Sequence, residues 1–366
     1  MSTRREMEQL GRNGLSVELG PLHLPYPIIN ASGTMELFAL AEAFGHQILE
    51  RPPVAAYVPK TVTLQPRAGN PPPRILETSG GMVNAIGLSS EGLDAFLADR
   101  LPGLLGLPCP ILLSIGGFSL EEYVALAAGI RGALDSEGRA VGVEDVSPCV
   151  PGERPVGSRE GRQAEGTAGD PACERVGLPS GWTERVGLEL NISCPNVHSG
   201  CLSIGTDCHE TREVVAAVRA VWPGLLVAKL TPNVTDIVEV AQAAVAGGAS
   251  ALALVNTYKG MVLDRTTLKP YLGNMTGGLS GPAIKPLALR AVYEVYSAVD
   301  VPIIGMGGVT NALDALEFIS CGATVVSVGS ALLRDPWLCE RMAADLEAEL
   351  ESRSTTLADL LGRAHR

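Results

Sequence analysis

The sequence predicts an α/β fold, a (β/α)8 TIM barrel with an N-terminal hairpin and a flexible insertion between its third helix and fourth strand. Three observations lead there. Short apolar runs rich in β-branched residues recur eight times along the 366 residues, and runs apolar on both faces suit parallel strands covered by helices. Stretches of helical periodicity separate most of them, the alternation expected of strand–helix units. Polar residues of unusual type gather just after the runs, at the end where barrels carry their functional groups.

The elements follow in order. "LSVELGPLHL", 15–24, reads as a small hairpin that closes the bottom of the barrel. The expected barrel strands are "YPIIN" (26–30), "VAAYV" (54–58), "PILLS" (110–114), "VGLEL" (186–190), "LLVAK" (225–229), "ALALV" (251–255), "VPIIG" (301–305) and "TVVSV" (324–328). Helical periodicity marks Leu120 to Leu134, Glu210 to Val221, Val234 to Ala246, Ala283 to Ala298 and Ala312 to Ser320. One segment, 131–185, breaks the pattern. It is rich in Gly, Pro, Ser, Glu and Arg, lacks periodicity, and is expected to be disordered within a single 1–366 barrel domain. Following a helix and preceding a strand, it emerges at the N-terminal face, away from the functional end. A tolerated surface insertion is the simpler reading and partner binding the other.

Bulk properties exclude several roles. A net charge of −12 argues against a nucleic-acid surface. The opening "MSTRREMEQLGRNG" lacks the apolar core of a signal peptide, and no apolar run approaches the roughly 20 residues that span a bilayer. A cytoplasmic protein without membrane attachment is expected. The eight cysteines do not form a disulfide framework in a chain of this length. Cys194, Cys201 and Cys208 are spaced by seven, without the short ligand spacings of zinc or iron–sulfur sites. No metal site is expected, and free, mostly buried thiols are.

The strand ends carry the chemistry. Ser32 follows the first run, Lys60 and Thr61 the second, and Ser114 ends the third. Asn191 follows the fourth, Lys229 ends the fifth, and Asn256 and Thr257 follow the sixth. A lysine directly after an apolar run is costly unless paired. Glycines follow the last two runs, Gly305 to Gly308 and Gly329 with Ser330, and "TGGLSG" (276–281) supplies a third arm. Such glycines let backbone N–H groups approach a phosphate. No G-x-G-x-x-G motif links a strand to a helix, so a mononucleotide such as FMN fits better than NAD. The run "LELNISCPNVHSG" (188–200) sets Cys194 between Asn191 and Asn196. Alone it is an ordinary polar turn; at the end of a barrel strand it is a candidate site.

These residues resemble the dihydroorotate dehydrogenase family, class 1B, catalytic subunit type. The carriers are "ASGT" (31–34), "PKTVTLQPRAGNPPPRI" (59–75), "GMVNAIGL" (81–88), "NISCPNV" (191–197), "VNTYKGMVLD" (255–264), "GNMTGGLSGPAIKP" (273–286) and "PIIGMGGV" (302–309). They span nearly the whole chain except 131–185. The resemblance implies FMN-dependent oxidation of dihydroorotate to orotate in pyrimidine (UMP) synthesis. It makes Cys194 the base that removes the C5 proton while C6 gives hydride to flavin N5. It assigns substrate binding to Lys60, Asn84, the backbone of Ala85, Ile86, Gly87 and Leu88, and to Asn191, Asn196, Asn256 and Thr257. It assigns FMN contacts to Ser32, Lys60, Thr61, Ser114, Asn191, Lys229, Val255, Gly281, Gly307, Gly308, Gly329 and Ser330, with Lys229 near the flavin ring.

The residue types suit the task. Orotate presents amide-like N–H and C=O edges, and Asn supplies both a donor and an acceptor. A thiol with an ordinary pKa near 8.5 becomes a better base as pH rises, and a loop that closes over the substrate excludes water. Two departures stand out: Ser114 replaces an asparagine common beside the flavin, and "HSGC" after Val197 replaces a Lys and Gly-Gly. The resemblance also implies a partner subunit with FAD and a 2Fe–2S cluster that passes electrons to NAD+, around a homodimer core of a heterotetramer. Fumarate as acceptor, or a dihydropyrimidine dehydrogenase-like activity on another pyrimidine, are the alternatives.

Overall fold

The computed structural model describes residues 14–140, 181–193 and 201–366. The chain opens with the expected hairpin, strands β1 (Val17–Leu19) and β2 (Leu22–Leu24), paired antiparallel. Leu15, Leu19, Leu22 and Leu24 are all fully buried. The turn at Gly20 lies against Leu225, the residue before a barrel strand, so the hairpin covers the N-terminal end, as the sequence predicts.

Seven parallel strands form the barrel sheet: β3 (Ile28–Asn30), β6 (Ile111–Ile115), β7 (Val186–Asn191), β8 (Leu226–Lys229), β9 (Ala251–Leu254), β12 (Ile303–Met306) and β13 (Val325–Val328). Their order is β3-β13-β12-β9-β8-β7-β6. The eighth stave departs from expectation. Residues 54–58 are not a regular strand; isolated parallel bridges, Tyr57 to Ile111 and Val62 to Ile115, join this stretch to β6. Pro59 lacks the N–H that a ladder needs here. On the other edge Ala55 N–H donates to Ile28 O at 3.2 Å, and the Asn30 amide completes the seam. Its Oδ1 accepts from Val58 N (2.9 Å) and its Nδ2 donates to Val58 O (2.7 Å). At this seam the barrel closes through one backbone bond and a side chain rather than through a regular ladder.

Helices α1 (Leu37–Phe44), α2 (Leu120–Ala140), α3 (Cys208–Val221), α4 (Ile237–Ala246), α5 (Lys285–Tyr296), α6 (Ala312–Ser320) and α7 (Leu338–Ser352) occur along the chain. Their starts are legible: Asp207 accepts from Glu210 N, Asp236 from Val238 N and Glu239 N, and Asn311 from Asp314 N, each removing an orphan N–H. In α3 the buried positions Thr211, Val214, Val215 and Val218 make one stripe. Helix α2 continues through 131–140, the first ten residues of the stretch expected to be irregular, and Trp182–Glu184 form a 3-10 turn at its other end. The rest of it, 141–180, lies outside the described residues. Among the described residues no helix is long and apolar enough to cross a membrane.

A second sheet is antiparallel: β4 (Ile75–Thr78), β5 (Gly81–Asn84), β10 (Tyr258–Met261) and β11 (Thr276–Ser280), in the order β10-β11-β5-β4. Because β10 starts just after Asn256 and Thr257, this sheet is anchored at the C-terminal mouth of the barrel.

Candidate active site

Strand register decides which side chains share the barrel interior. Ser114 on β6 pairs with Glu189 on β7, and Asn191 pairs with Lys229 on β8. Glu189 and Asn191, two apart, point to one face. All four are buried: Ser114 is 0%, Glu189 2%, Asn191 6% and Lys229 5% exposed. Lys229 Nζ lies 3.5 Å from Glu189 Oε1 and donates to Ser32 Oγ at 3.0 Å. Ser114 Oγ donates to Glu189 Oε1 at 2.9 Å and lies 2.9 Å from Thr61 Oγ1. Asn191 Nδ2 donates to Thr61 Oγ1 at 3.2 Å. A lysine at an apolar strand end thus finds the carboxylate that its burial demands.

The network continues toward β9. Ser193 Oγ donates to Asn191 Oδ1 (3.1 Å), and Asn256 Nδ2 donates to Ser193 Oγ (2.8 Å). Thr257 N–H in turn fixes Asn256 Oδ1 at 2.8 Å. From helix α2, the buried Tyr123 hydroxyl donates to Asn191 O at 2.9 Å, holding the strand end. Sequence reasoning missed Glu189, Ser193 and Tyr123. The signal for Glu189 was a carboxylate inside a run otherwise apolar on both faces.

The antiparallel sheet brings the distant Asn84 stretch to Thr257. Asn84 Nδ2 donates to Gly278 O at 3.4 Å. A Cβ on Gly278 would lie 2.0 Å from Thr257 Oγ1, and one on Gly277 2.5 Å from Asn84 O, so close approach of the strands requires glycine there. After Asn84 the chain turns through Gly87 and Leu88, both with positive φ (78° and 54°). Part of the Ala85–Leu88 backbone is already engaged: Ala85 N–H donates to Arg74 O, and Ile86 O accepts from Asn70 N. Lys60 is exposed and donates to Ser89 Oγ at 3.3 Å. Partial desolvation of its ammonium at the mouth, then the nearby Arg74, lowers its pKa despite opposing carboxylates.

The opposite side of the mouth is built from backbone. Gly281, Gly307 and Gly308 have φ of 96°, 127° and 79°. A Cβ on Gly308 would meet Gly281 O and Lys285 Cβ, each at 2.8 Å, so the arms after β11 and β12 touch. Val255 lies beside Gly307, its Cγ2 3.6 Å from where a Cβ would stand. Gly329 is open, with only Ala31 Cβ nearby at 3.9 Å, and Ser330 begins the turn Ser330–Leu333. Behind this side, Lys285 bonds Asp314 (2.6 Å) and Glu317 (2.7 Å), and Asp314 Oδ2 accepts from Thr310 N and Oγ1 at 2.7 Å each. Cys194 and Asn196 lie outside the described residues. Of the thiols described, Cys109 and Cys339 are buried; burial pushes the Cys109 pKa up to about 12 and raises that of Cys339 as well.

Fold and mouth together define a (β/α)8 barrel whose polar groups converge on the C-terminal end, the arrangement of barrel enzymes. The family model for dihydroorotate dehydrogenase matches residues 14–166 and 184–350. A relative from Trichlorobacter lovleyi, called dihydroorotate dehydrogenase B (NAD(+)), catalytic subunit, is 41% identical over 95% of this chain and 97% of its own length. Relatives of the same description from Geotalea uraniireducens and Desulforudis audaxviator are each 41% identical over 96% of this chain, covering 99% and 97% of theirs. The chain belongs to the dihydroorotate dehydrogenase family and is an oxidoreductase.

Proposed function

We propose that this chain oxidises (S)-dihydroorotate to orotate in pyrimidine synthesis, with FMN held in the barrel mouth. The observation that carries this is the strand-end network: Lys229, Glu189, Asn191 and Asn256 linked through the hydroxyls of Ser32, Thr61, Ser114 and Ser193, at the barrel mouth that also carries the bare glycine backbone. These residues fit FMN. The glycine arms at Gly281, Gly307 and Gly308, with Gly329 and Ser330, would offer backbone N–H groups to a phosphate without side chains in the way, and Lys229, Ser32, Thr61, Ser114 and Val255 would face the rest. Bound there, FMN would accept the hydride from substrate C6. Asn191, Asn196, Asn256 and Thr257, with Asn84 and the 85–88 backbone, bind the amide edges of the ring. Lys60 offers a cation for the carboxylate. Cys194 takes the C5 proton at its Sγ.

The relatives' description as a catalytic subunit linked to NAD(+) supports a second step. A partner subunit carrying FAD and a 2Fe–2S cluster, around a homodimer of this chain, would pass the electrons to NAD+. The sum is balanced: dihydroorotate and NAD+ give orotate, NADH and a proton.

Purified protein should be yellow, and dihydroorotate added without oxygen should bleach it. The Cys194→Ala variant should stay yellow and lose about 10²- to 10⁴-fold in turnover, the usual contribution of a positioned base. A colourless protein that cannot be reconstituted with FMN, or a fully active Cys194→Ala, would overturn the reading.

A further inference from the structure

Resting on the function proposed above, we infer that Glu189 is a positioning residue that couples the cofactor side of the site to the substrate side. The hydrogen bonds around it have a single direction. An ionised carboxylate only accepts, so Ser114 Oγ must donate to Glu189 Oε1 (2.9 Å). With its proton used, Ser114 Oγ accepts from Thr61 Oγ1 at 2.9 Å, and Thr61 Oγ1 accepts from Asn191 Nδ2 at 3.2 Å. At the far end the Thr257 N–H fixes Asn256 Oδ1, so Asn256 Nδ2 faces Ser193 Oγ and Ser193 Oγ faces Asn191 Oδ1. Backbone N–H at one end and carboxylate at the other therefore set which edge of the Asn191 amide faces which neighbour. The same Oε1 lies 3.5 Å from Lys229 Nζ.

One buried carboxylate thus serves two arms. Through Ser114 and Thr61 it orients Asn191, which is to hold a ring whose donors and acceptors must match. Directly, it holds the Lys229 ammonium. Glutamine at this position keeps the shape and can donate as well as accept, so the direction of the chain is no longer imposed and the lysine loses its counter-charge.

Two variants separate the arms, with orotate affinity measured on FMN-loaded protein and FMN affinity on apoprotein by flavin fluorescence. Glu189→Gln cuts both arms and should weaken orotate about tenfold and FMN at least fivefold. Ser114→Ala leaves the Glu189–Lys229 pair in place but cuts the substrate arm and one of the proposed flavin contacts, so it should weaken orotate about fivefold and FMN by less than orotate. Orotate affinity within twofold of wild type in both variants would overturn the inference. So would parallel loss of both ligands in Ser114→Ala with a lowered Tm, which marks a merely structural role. If Glu189→Gln does not fold, Ser114→Ala decides alone: preferential loss of orotate supports the coupling, and any other result refutes it. Wild-type protein that binds neither FMN nor orotate would refute the proposed function and this inference with it.

Discussion

Around β6, β7 and β8 the barrel mouth is made of side chains; from β11 to β13 it is made of their absence. On the first side Ser114, Glu189, Asn191 and Lys229 fill the interior and satisfy one another. On the second, Gly281, Gly307 and Gly308 bring backbone against backbone, and the charges stand behind the mouth on Lys285, Asp314 and Glu317. Each side has a lysine with a carboxylate, yet the two pairs sit in different media. Lys229 and Glu189 side chains are 6% and 2% exposed, whereas Lys285 is 26% exposed and divides itself between Asp314 (7%) and the exposed Glu317 (51%). A buried pair is sensitive to loss of either member, and a half-exposed one is cushioned by water. Side chains suit a ligand that must be read by its edges; backbone suits a phosphate that must be approached closely.

The largest effect should come from breaking the buried pair. Lys229→Met leaves Glu189 facing an apolar side chain, with the Ser114 hydroxyl as its one remaining donor among the described residues. Removing one member of a buried pair typically costs about 3–5 kcal/mol. Denaturant unfolding should show a loss of that size. A cost below about 1 kcal/mol would mean that the two sides are equally tolerant and the contrast drawn above is wrong.

The contrast also explains what was readable in advance. The helical stretches 210–221, 234–246 and 312–320, and the strand ends at Ser114, Asn191 and Lys229, all follow from local periodicity; the caps Asp207, Asp236 and Asn311 fix the helix starts in the structure. Lys229 announced itself because a lysine ending an apolar run needs a partner. Its partner did not, since Glu189 hides inside a strand and the pairing depends on the register of β7 with β6 and β8. The eighth stave failed for a similar reason. "VAAYV" has the composition of a strand, but Pro59 interrupts the ladder and Asn30, from another strand, closes the seam through its side chain. Tyr123 reaches Asn191 from a helix 68 positions earlier. Properties set by one stretch were legible; those set by two stretches meeting were not.

A middle-sized effect is expected on the glycine side. Gly308 has φ +79°, and a Cβ there would meet Gly281 O and Lys285 Cβ at 2.8 Å. Gly308→Ala combines a disfavoured backbone with a close contact, a strain of about 1–3 kcal/mol. Tm should fall by several degrees, and FMN affinity should fall more than orotate affinity, the reverse of Ser114→Ala. Equal losses of both ligands would show that the two sides of the mouth do not divide the work.

The smallest effect concerns the charges behind the glycine arms and has a defined pH signature. Burial by itself would raise the Asp314 pKa, but hydrogen bonds from Lys285 and from Thr310 outweigh it and hold the carboxyl below its ordinary 3.8. The same carboxylates, Asp314 before Glu317, raise Lys285. A carboxyl depressed on folding stabilises the protein above its unfolded pKa, and the benefit is lost as pH falls through the folded value. Wild-type stability should therefore drop below about pH 4 partly through this group. Asp314→Asn should cost about 1–2 kcal/mol at neutral pH, discounted because Lys285 keeps contact with water and with Glu317. The difference between variant and wild type should shrink as pH falls below that point. Parallel stability curves from pH 7 to pH 3 would show that Asp314 acts through packing alone, and that the charges on this side of the barrel do not hold the glycine arms in place.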